Sequence, residues 1–202
     1  MREEKLSPKV KALYDAVIEL IAEDVDIKEM KVSDITGRAG IGKGTAYEYF
    51  SNKEEIISSA LLYHINRICT YVMEQLDEYE RFTDMLHFIL ECMDAEIMKS
   101  GCFIKFVHLL TDSGSISRAM HKQVQEKEQE ICLPDVLIDR IISHGVEEGS
   151  IKSEFPRTYM KMAFVAKLLS YAFYASNGCK QKEYSTEQMH ALICDSLLKE
   201  FN

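Results

Sequence analysis

The sequence predicts an all-α protein: a small N-terminal three-helix domain containing a helix-turn-helix, then a larger C-terminal helical domain. Three observations carry this. Apolar residues recur at helical spacing along nearly the whole chain, and strand-like alternation bounded by turn signals is missing. Helix start and stop residues recur where that spacing begins and ends. One short stretch, "ITGRAGIGKGTAYEYFSNKEEI" from Ile35 to Ile56, holds four glycines and three cationic side chains beside an aromatic cluster. Two short helices joined by a tight glycine turn fit it.

Each element follows in order. Ser7 as N-cap and Pro8 at the first helical position open a helix with Val10, Leu13, Val17, Leu20 and Ile21 on one stripe, ending near residue 25. A short helix fits Val32 to Ala39, with Gly40 placed for a left-handed cap. A third runs from about Gly42 to Phe50, with Ala46, Tyr49 and Phe50 inward. "SNKEE" then offers two overlapping capping boxes, Ser51 with Glu54 and Asn52 with Glu55, starting a long helix to about Tyr79. Further helices are expected near 82–99, 101–112, 116–148 (broken near Pro134), 157–176 and 185–201. "GVEEGSIKSEFP" (145–156) reads as a helix stop and turn, and Ser185 with Gln188 as another capping box. The domains are expected at 1–53 and 54–202.

The totals narrow the function. A chain of 202 residues, 47% apolar and 28% charged, can fold around a real core. No run of 18 apolar residues predicts a membrane span, and MREEKLSPKV lacks a secretory h-region, so a cytoplasmic location is expected. Six cysteines at 69, 92, 102, 132, 179 and 194 show no CxxC spacing and read as scattered thiols. Net charge is −9, yet Lys31–Lys53 carries Lys31, Arg38, Lys43 and Lys53 against Asp34 and Glu48, a local +2 that leaves −11 elsewhere. That acidic surplus serves solubility, or a preference for cationic effectors.

In the helix-turn-helix, the outward positions of the second helix are Lys43, Gly44, Thr45, Tyr47 and Glu48, and Lys53 starts the next helix beside them. A cation, a hydroxyl, a phenol and a carboxylate, with glycines permitting close approach, suit insertion into a DNA major groove. The alternative is a solvated surface on a helical pair that never meets DNA. Gly37 is left without a reason, since a mid-helix glycine costs about 1 kcal/mol.

"VSDITGRAGIGKGTAYEYFSNKEEII" resembles the DNA-binding signature of the TetR family of bacterial transcriptional repressors, over residues 8–60. The resemblance implies that Lys43, Thr45, Tyr47 and Lys53 contact phosphates or bases, that Tyr49 and Phe50 are core, and that the last two helices dimerise. Three positions depart from the family pattern: Gly42 for serine or threonine, Ala46 for leucine, and Glu48 where histidine is frequent. A carboxylate at 48 repels phosphate but can accept from a cytosine amino group.

The C-terminal part is large enough to enclose an apolar effector pocket. Candidate lining residues are Tyr63, His64, Ile68, Leu86, Ile89, Met93, Phe103, Phe106 and Leu110, against plain core packing for each. Met162, Ala166, Leu169, Phe173, Met189, Leu192 and Ile193 form apolar stripes suited to a homodimer interface or to packing within one chain. His87 and Glu91 lie four apart as a minor metal candidate, but no metal site is predicted. "GIGKGT" lacks the strand and spacing of a phosphate loop, and no nucleophile sits in a turn, so neither cofactor nor catalysis is expected. The sequence therefore predicts a cytoplasmic repressor, not an enzyme. Its expected partners are a palindromic double-stranded operator, a small-molecule effector and a second copy of itself, with no membrane. The alternatives are a metal- or thiol-responsive regulator and a helical adaptor that does not bind DNA.

Overall fold

The structure, a computed structural model, describes residues 6–99, 101–126, 134–176 and 184–202, except the side chains at 110 and 111. The described residues are helical with connecting turns and no strand. The helices are α1 (Pro8–Ala22), α2 (Val32–Ala39), α3 (Lys43–Tyr49), α4 (Lys53–Gln75), α5 (Phe82–Lys99), α6 (Cys102–Thr111), α7 (Ser115–Glu126), α8 (Pro134–Glu148), α9 (Arg157–Ser176) and α10 (Thr186–Phe201). They form two compact units, one from Met1–Asn66 with Lys99–Ile131, the other from Arg67–Met98 with Cys132–Asn202. The division falls inside α4 and crosses the chain twice more, so each unit is built from two stretches of sequence.

In the first unit, local chemistry sets the ends of the short helices. The Ser7 hydroxyl accepts from the Val10 N–H at 3.2 Å, with Pro8 just inside α1. Asp24, not a glycine, takes the left-handed position (φ 61°) after α1, and the Val25 N–H reaches back to the Leu20 carbonyl at 3.0 Å. Gly40 takes φ 68° after α2. Asn52 caps α4, accepting from the Glu55 N–H at 2.8 Å. The Glu55 carboxylate accepts from the Ser51 N–H at 2.7 Å. The two capping boxes in the sequence thus merge into one interleaved cap. Leu13, Val17, Ile21, Met30, Ile35, Ala46, Ile57 and Leu61 are buried in this unit.

In the second unit, Phe82 and Phe164 meet edge-on with centroids 6.0 Å apart, and Phe164 stacks on Phe201 at 5.9 Å. All three rings are essentially inaccessible. The C-terminal end is stapled to the α8–α9 turn: the Lys152 N–H donates to the Phe201 carbonyl at 2.9 Å, and the Asn202 side-chain amide donates to the Ser150 carbonyl at 2.9 Å.

Pro134 opens α8, at the break expected there, and its missing N–H costs no bond. The long helix changes from the expectation, ending at Gln75 with a 3-10 turn at Leu76–Glu78. Helix α8 runs to Glu148, and Gly149 at φ 83° takes the left-handed position after it, where the sequence puts the stop. Gly145, inside α8, is a contact point, since a Cβ built there would lie 2.6 Å from Phe82 Cδ2.

That contact fixes the sign of a substitution. Gly145→Ala gains up to about 1 kcal/mol of helix propensity. Forcing a methyl against a ring already wedged on Phe164 costs about 1–3 kcal/mol. Gly145→Ala is expected to be destabilising by about 1 kcal/mol in urea unfolding. Gly37→Ala should do the opposite. It lies mid-helix in α2, and a Cβ there meets nothing within 4 Å, so a gain of about 0.5–1 kcal/mol is expected in the same assay.

Candidate nucleic-acid interface and companion sites

Helix α3 has seven residues and turns its faces as the sequence demands, with one exception. Ala46 is fully buried and Phe50 nearly so, while Lys43, Gly44, Tyr47 and Glu48 are exposed and Thr45 is half-buried. Tyr49 departs from its expected core position and is 43% exposed. Phe50 is extended (φ −135°, ψ 138°), so helical periodicity does not set the direction of its ring. Phe50 turns in against Tyr14, centroids 5.9 Å apart, and Tyr49 at the last helical position faces out. The exposed surface therefore has two phenols, Tyr47 and Tyr49. Gly42 caps α3 without a side-chain bond, as its lack of a hydroxyl requires.

The nearby cations are mostly engaged. The Arg38 guanidinium grips both Glu23 oxygens at 2.7 and 2.6 Å and reaches Glu19 at 3.4 Å, which raises its own pKa and lowers that of Glu23. Lys53, expected beside a phosphate, donates to the Lys28 carbonyl at 3.0 Å, while the Lys28 ammonium pairs with Asp112 at 3.1 Å. That pairing and the Ser113 N–H hold the Asp112 carboxyl below its usual range. Among the described residues no hydrogen bond or ion pair engages the ammonium of Lys43 or the carboxylate of Glu48.

The α6–α7 corner bonds to the helices of the DNA-facing part at several points, all within the first unit. Besides Lys28–Asp112, Ser115 donates to Glu54 at 3.3 Å. The Gln123 amide donates to Ser58 at 2.8 Å and accepts from Ser59 at 3.0 Å. Ser59 in turn bonds the Tyr14 phenol, whose pKa is raised chiefly by burial. A cleft of about 350 Å³ lies here, lined by Asp26, Ile27, Lys28, Lys105, His108, Leu109 and Asp112. None of the candidate effector residues lines it.

Those candidates divide between the units. Tyr63, His64 and Phe103 are half-buried and Phe106 buried in the first. Ile68 is half-buried and Leu86, Ile89 and Met93 are buried in the second. The Leu110 side chain lies outside the described residues. Of the expected interface positions on α9 and α10, Met162 (65%), Leu192 (47%) and Phe173 (41%) are the most open, and Val165 on α9 is exposed as well. Ala166 is exposed with them, and Leu169, Met189 and Ile193 are half-buried.

A polar cluster that no sequence pattern signals lies inside the second unit. The Tyr171 hydroxyl donates to Asp94 Oδ1, His190 Nε2 sits 2.9 Å from Asp94 Oδ2 and 2.7 Å from the Tyr171 hydroxyl, and the His87 ring lies 6.3 Å from that of His190. Burial and the Asp94 carboxylate raise the Tyr171 pKa. The participants come from α5, α9 and α10, so only the fold brings them together. Among the described residues no group of three potential ligands is arranged to hold a metal, and Glu91 is exposed beside half-buried His87. Burial pushes the Cys92 and Cys194 thiols up to about 11, and Cys69 and Cys102 are buried. Thiols held protonated this way are poor nucleophiles. Cys132 and Cys179 lie outside the described residues.

A helix-turn-helix with a polar, exposed second helix is the arrangement that one class, the DNA-binding transcriptional regulators, presents to a major groove. Residues 13–60 match the family model "Bacterial regulatory proteins, tetR family". Over 147 residues the chain is 27% identical to the fatty acid metabolism regulator protein of Bacillus subtilis (strain 168), 72% of each chain being covered. Its fold is similar to that of the fatty acid degradation regulator FadR from Bacillus halodurans (TM-score 0.73, 21% identity, 96% of this chain and 97% of that one). It is also similar to FadR from Bacillus subtilis in complex with stearoyl-CoA (TM-score 0.70, 18% identity, 95% and 99%). The family match thus rests on residues 13–60, the helix-turn-helix part of the chain.

Proposed function

We propose that this chain is a cytoplasmic, homodimeric repressor. It holds a palindromic operator through α3 and releases it when a small-molecule effector binds. The observation that carries this is the exposed α3 face of Lys43, Gly44, Tyr47, Glu48 and Tyr49, set on a buried Ala46–Phe50 seam. Residues 1–53 serve DNA, with Thr45 and Lys53 flanking that face, and residues 54–202 serve the effector and the dimer.

The effector we propose is a long-chain acyl-CoA thioester. The support is the likeness to a regulator whose structure holds stearoyl-CoA and to a relative named for fatty acid metabolism. The candidate residues within the second unit, Ile68, Leu86, Ile89 and Met93, are all apolar, as an acyl chain requires. The dimer would form on the α9–α10 face, where Met162, Phe173 and Leu192 stand open. By linkage the effector must prefer the DNA-free form, and operator DNA must weaken effector binding by the same factor.

Fluorescence anisotropy with duplex from upstream of the chain's own gene, against scrambled duplex, tests this across a salt series. Specific binding should weaken with salt and be reversed by stearoyl-CoA but not by free CoA. Tyr47→Ala should weaken operator binding at least tenfold with an unchanged melting temperature. Equal affinity of wild type and Tyr47→Ala for operator would sink the assignment of this face.

A further inference from the structure

Gly44, Tyr47 and Glu48 form one outward ridge of α3, at the i, i+3, i+4 spacing of a helix face. Glu48 is the acidic member. On the described residues no hydrogen bond or ion pair engages its carboxylate. One turn before it, Gly44 has no side chain, and a Cβ there would meet nothing within 4 Å. The backbone can thus come close to a surface at the point where Glu48 projects.

An ionised carboxylate only accepts hydrogen bonds. Phosphates, guanine N7 and O6 and thymine O4 are all acceptors and repel it. Two major-groove donors remain, the amino groups of cytosine and adenine. In adenine the amino group adjoins the N7 acceptor, which faces the second carboxylate oxygen. In cytosine it adjoins a C–H edge, which does not.

We propose that Glu48 is a base-reading residue that selects cytosine at one position of each operator half-site. This rests on the DNA-binding reading above and deepens it. Glu48 then adds specificity at some cost in affinity, because every site lacking that amino group meets an unneutralised charge.

Selection from duplexes with randomised palindromic half-sites tests the proposal, using the full chain as wild type, Glu48→Gln and Glu48→Ala. The side chain is exposed, so all three should give the same circular dichroism and melting curve. Wild type should prefer cytosine about tenfold at one half-site position. Glu48→Gln should move that position toward adenine, because a carboxamide donates to N7 while accepting from the amino group. Glu48→Ala should flatten that position and leave selection elsewhere intact. The same base preferences in all three proteins would overturn the proposal. So would Glu48→Ala binding every duplex more tightly by one uniform factor, which would make the carboxylate a source of repulsion alone. A wild type that enriches no sequence would overturn the regulator reading itself, an outcome distinct from both.

Discussion

Phe201→Ala should destabilise the second unit by about 3–5 kcal/mol, the largest effect expected from any single side chain discussed here. Its ring is fully buried and lies flat on Phe164, at an interplanar angle of 9°. The Phe155 ring meets it edge-on at 5.4 Å and the Tyr159 ring at 6.1 Å. Alanine would remove a ring from a three-sided aromatic cage whose remaining members are held by α9 and the α8–α9 turn, so the cavity cannot collapse. Phe201→Leu fills most of the space and should cost less than half as much. Urea unfolding at fixed protein concentration measures both, since dimer formation would otherwise move the midpoint. A loss under 1 kcal/mol for Phe201→Ala would show that this packing is not what holds α10.

The second large effect concerns the Asp94 cluster. Asp94→Ala removes the acceptor for both Tyr171 and His190, two largely buried groups. Leaving a buried donor without its acceptor costs about 1–3 kcal/mol for each group. Two features lower that here. The Asp94 side chain keeps 23% of its exposure, and the Tyr171 hydroxyl, 2.7 Å from His190 Nε2, can donate to it once the carboxylate is gone. We expect a loss of about 2 kcal/mol. Tyr171→Phe alone should cost about 1 kcal/mol. In the double variant the costs should fall short of their sum by about 1 kcal/mol, because the two deletions remove one shared bond. Strict additivity would mean that the hydroxyl and the carboxylate do not act as a pair.

Much of this was legible in the sequence, because the signals were local. Ser7–Pro8, Gly40 and the Ser185–Gln188 box act within four residues of themselves, and each caps the helix it was expected to cap. The helix-turn-helix was legible for the same reason. The misreadings share a different cause. The engagement of the Lys53 ammonium by the Lys28 carbonyl was not legible because that partner lies 25 residues away in the chain. The packing role of Gly145 left no local sign because Phe82, the ring that needs the space, is on another helix. Tyr49 faces out although a core position was expected, while Phe50 is buried as expected, because α3 ends between them and the extended Phe50 backbone takes the inward place. The Asp94–Tyr171–His190 cluster spans three helices and left no trace in any window of sequence.

The polar ties within the first unit bear on how this regulator could be re-engineered. Exchanging its operator preference for another regulator's by cutting the gene after the helix-turn-helix would leave Lys28 facing Asp112, and Ser58 and Ser59 facing Gln123, across a seam that was never matched. A chimera joined at residue 66 inherits half of each bond, and one joined at residue 53 half of the Lys28–Asp112 pair. A working graft has to carry its own α6–α7 corner, so the transplantable module is discontinuous in the gene although compact in space.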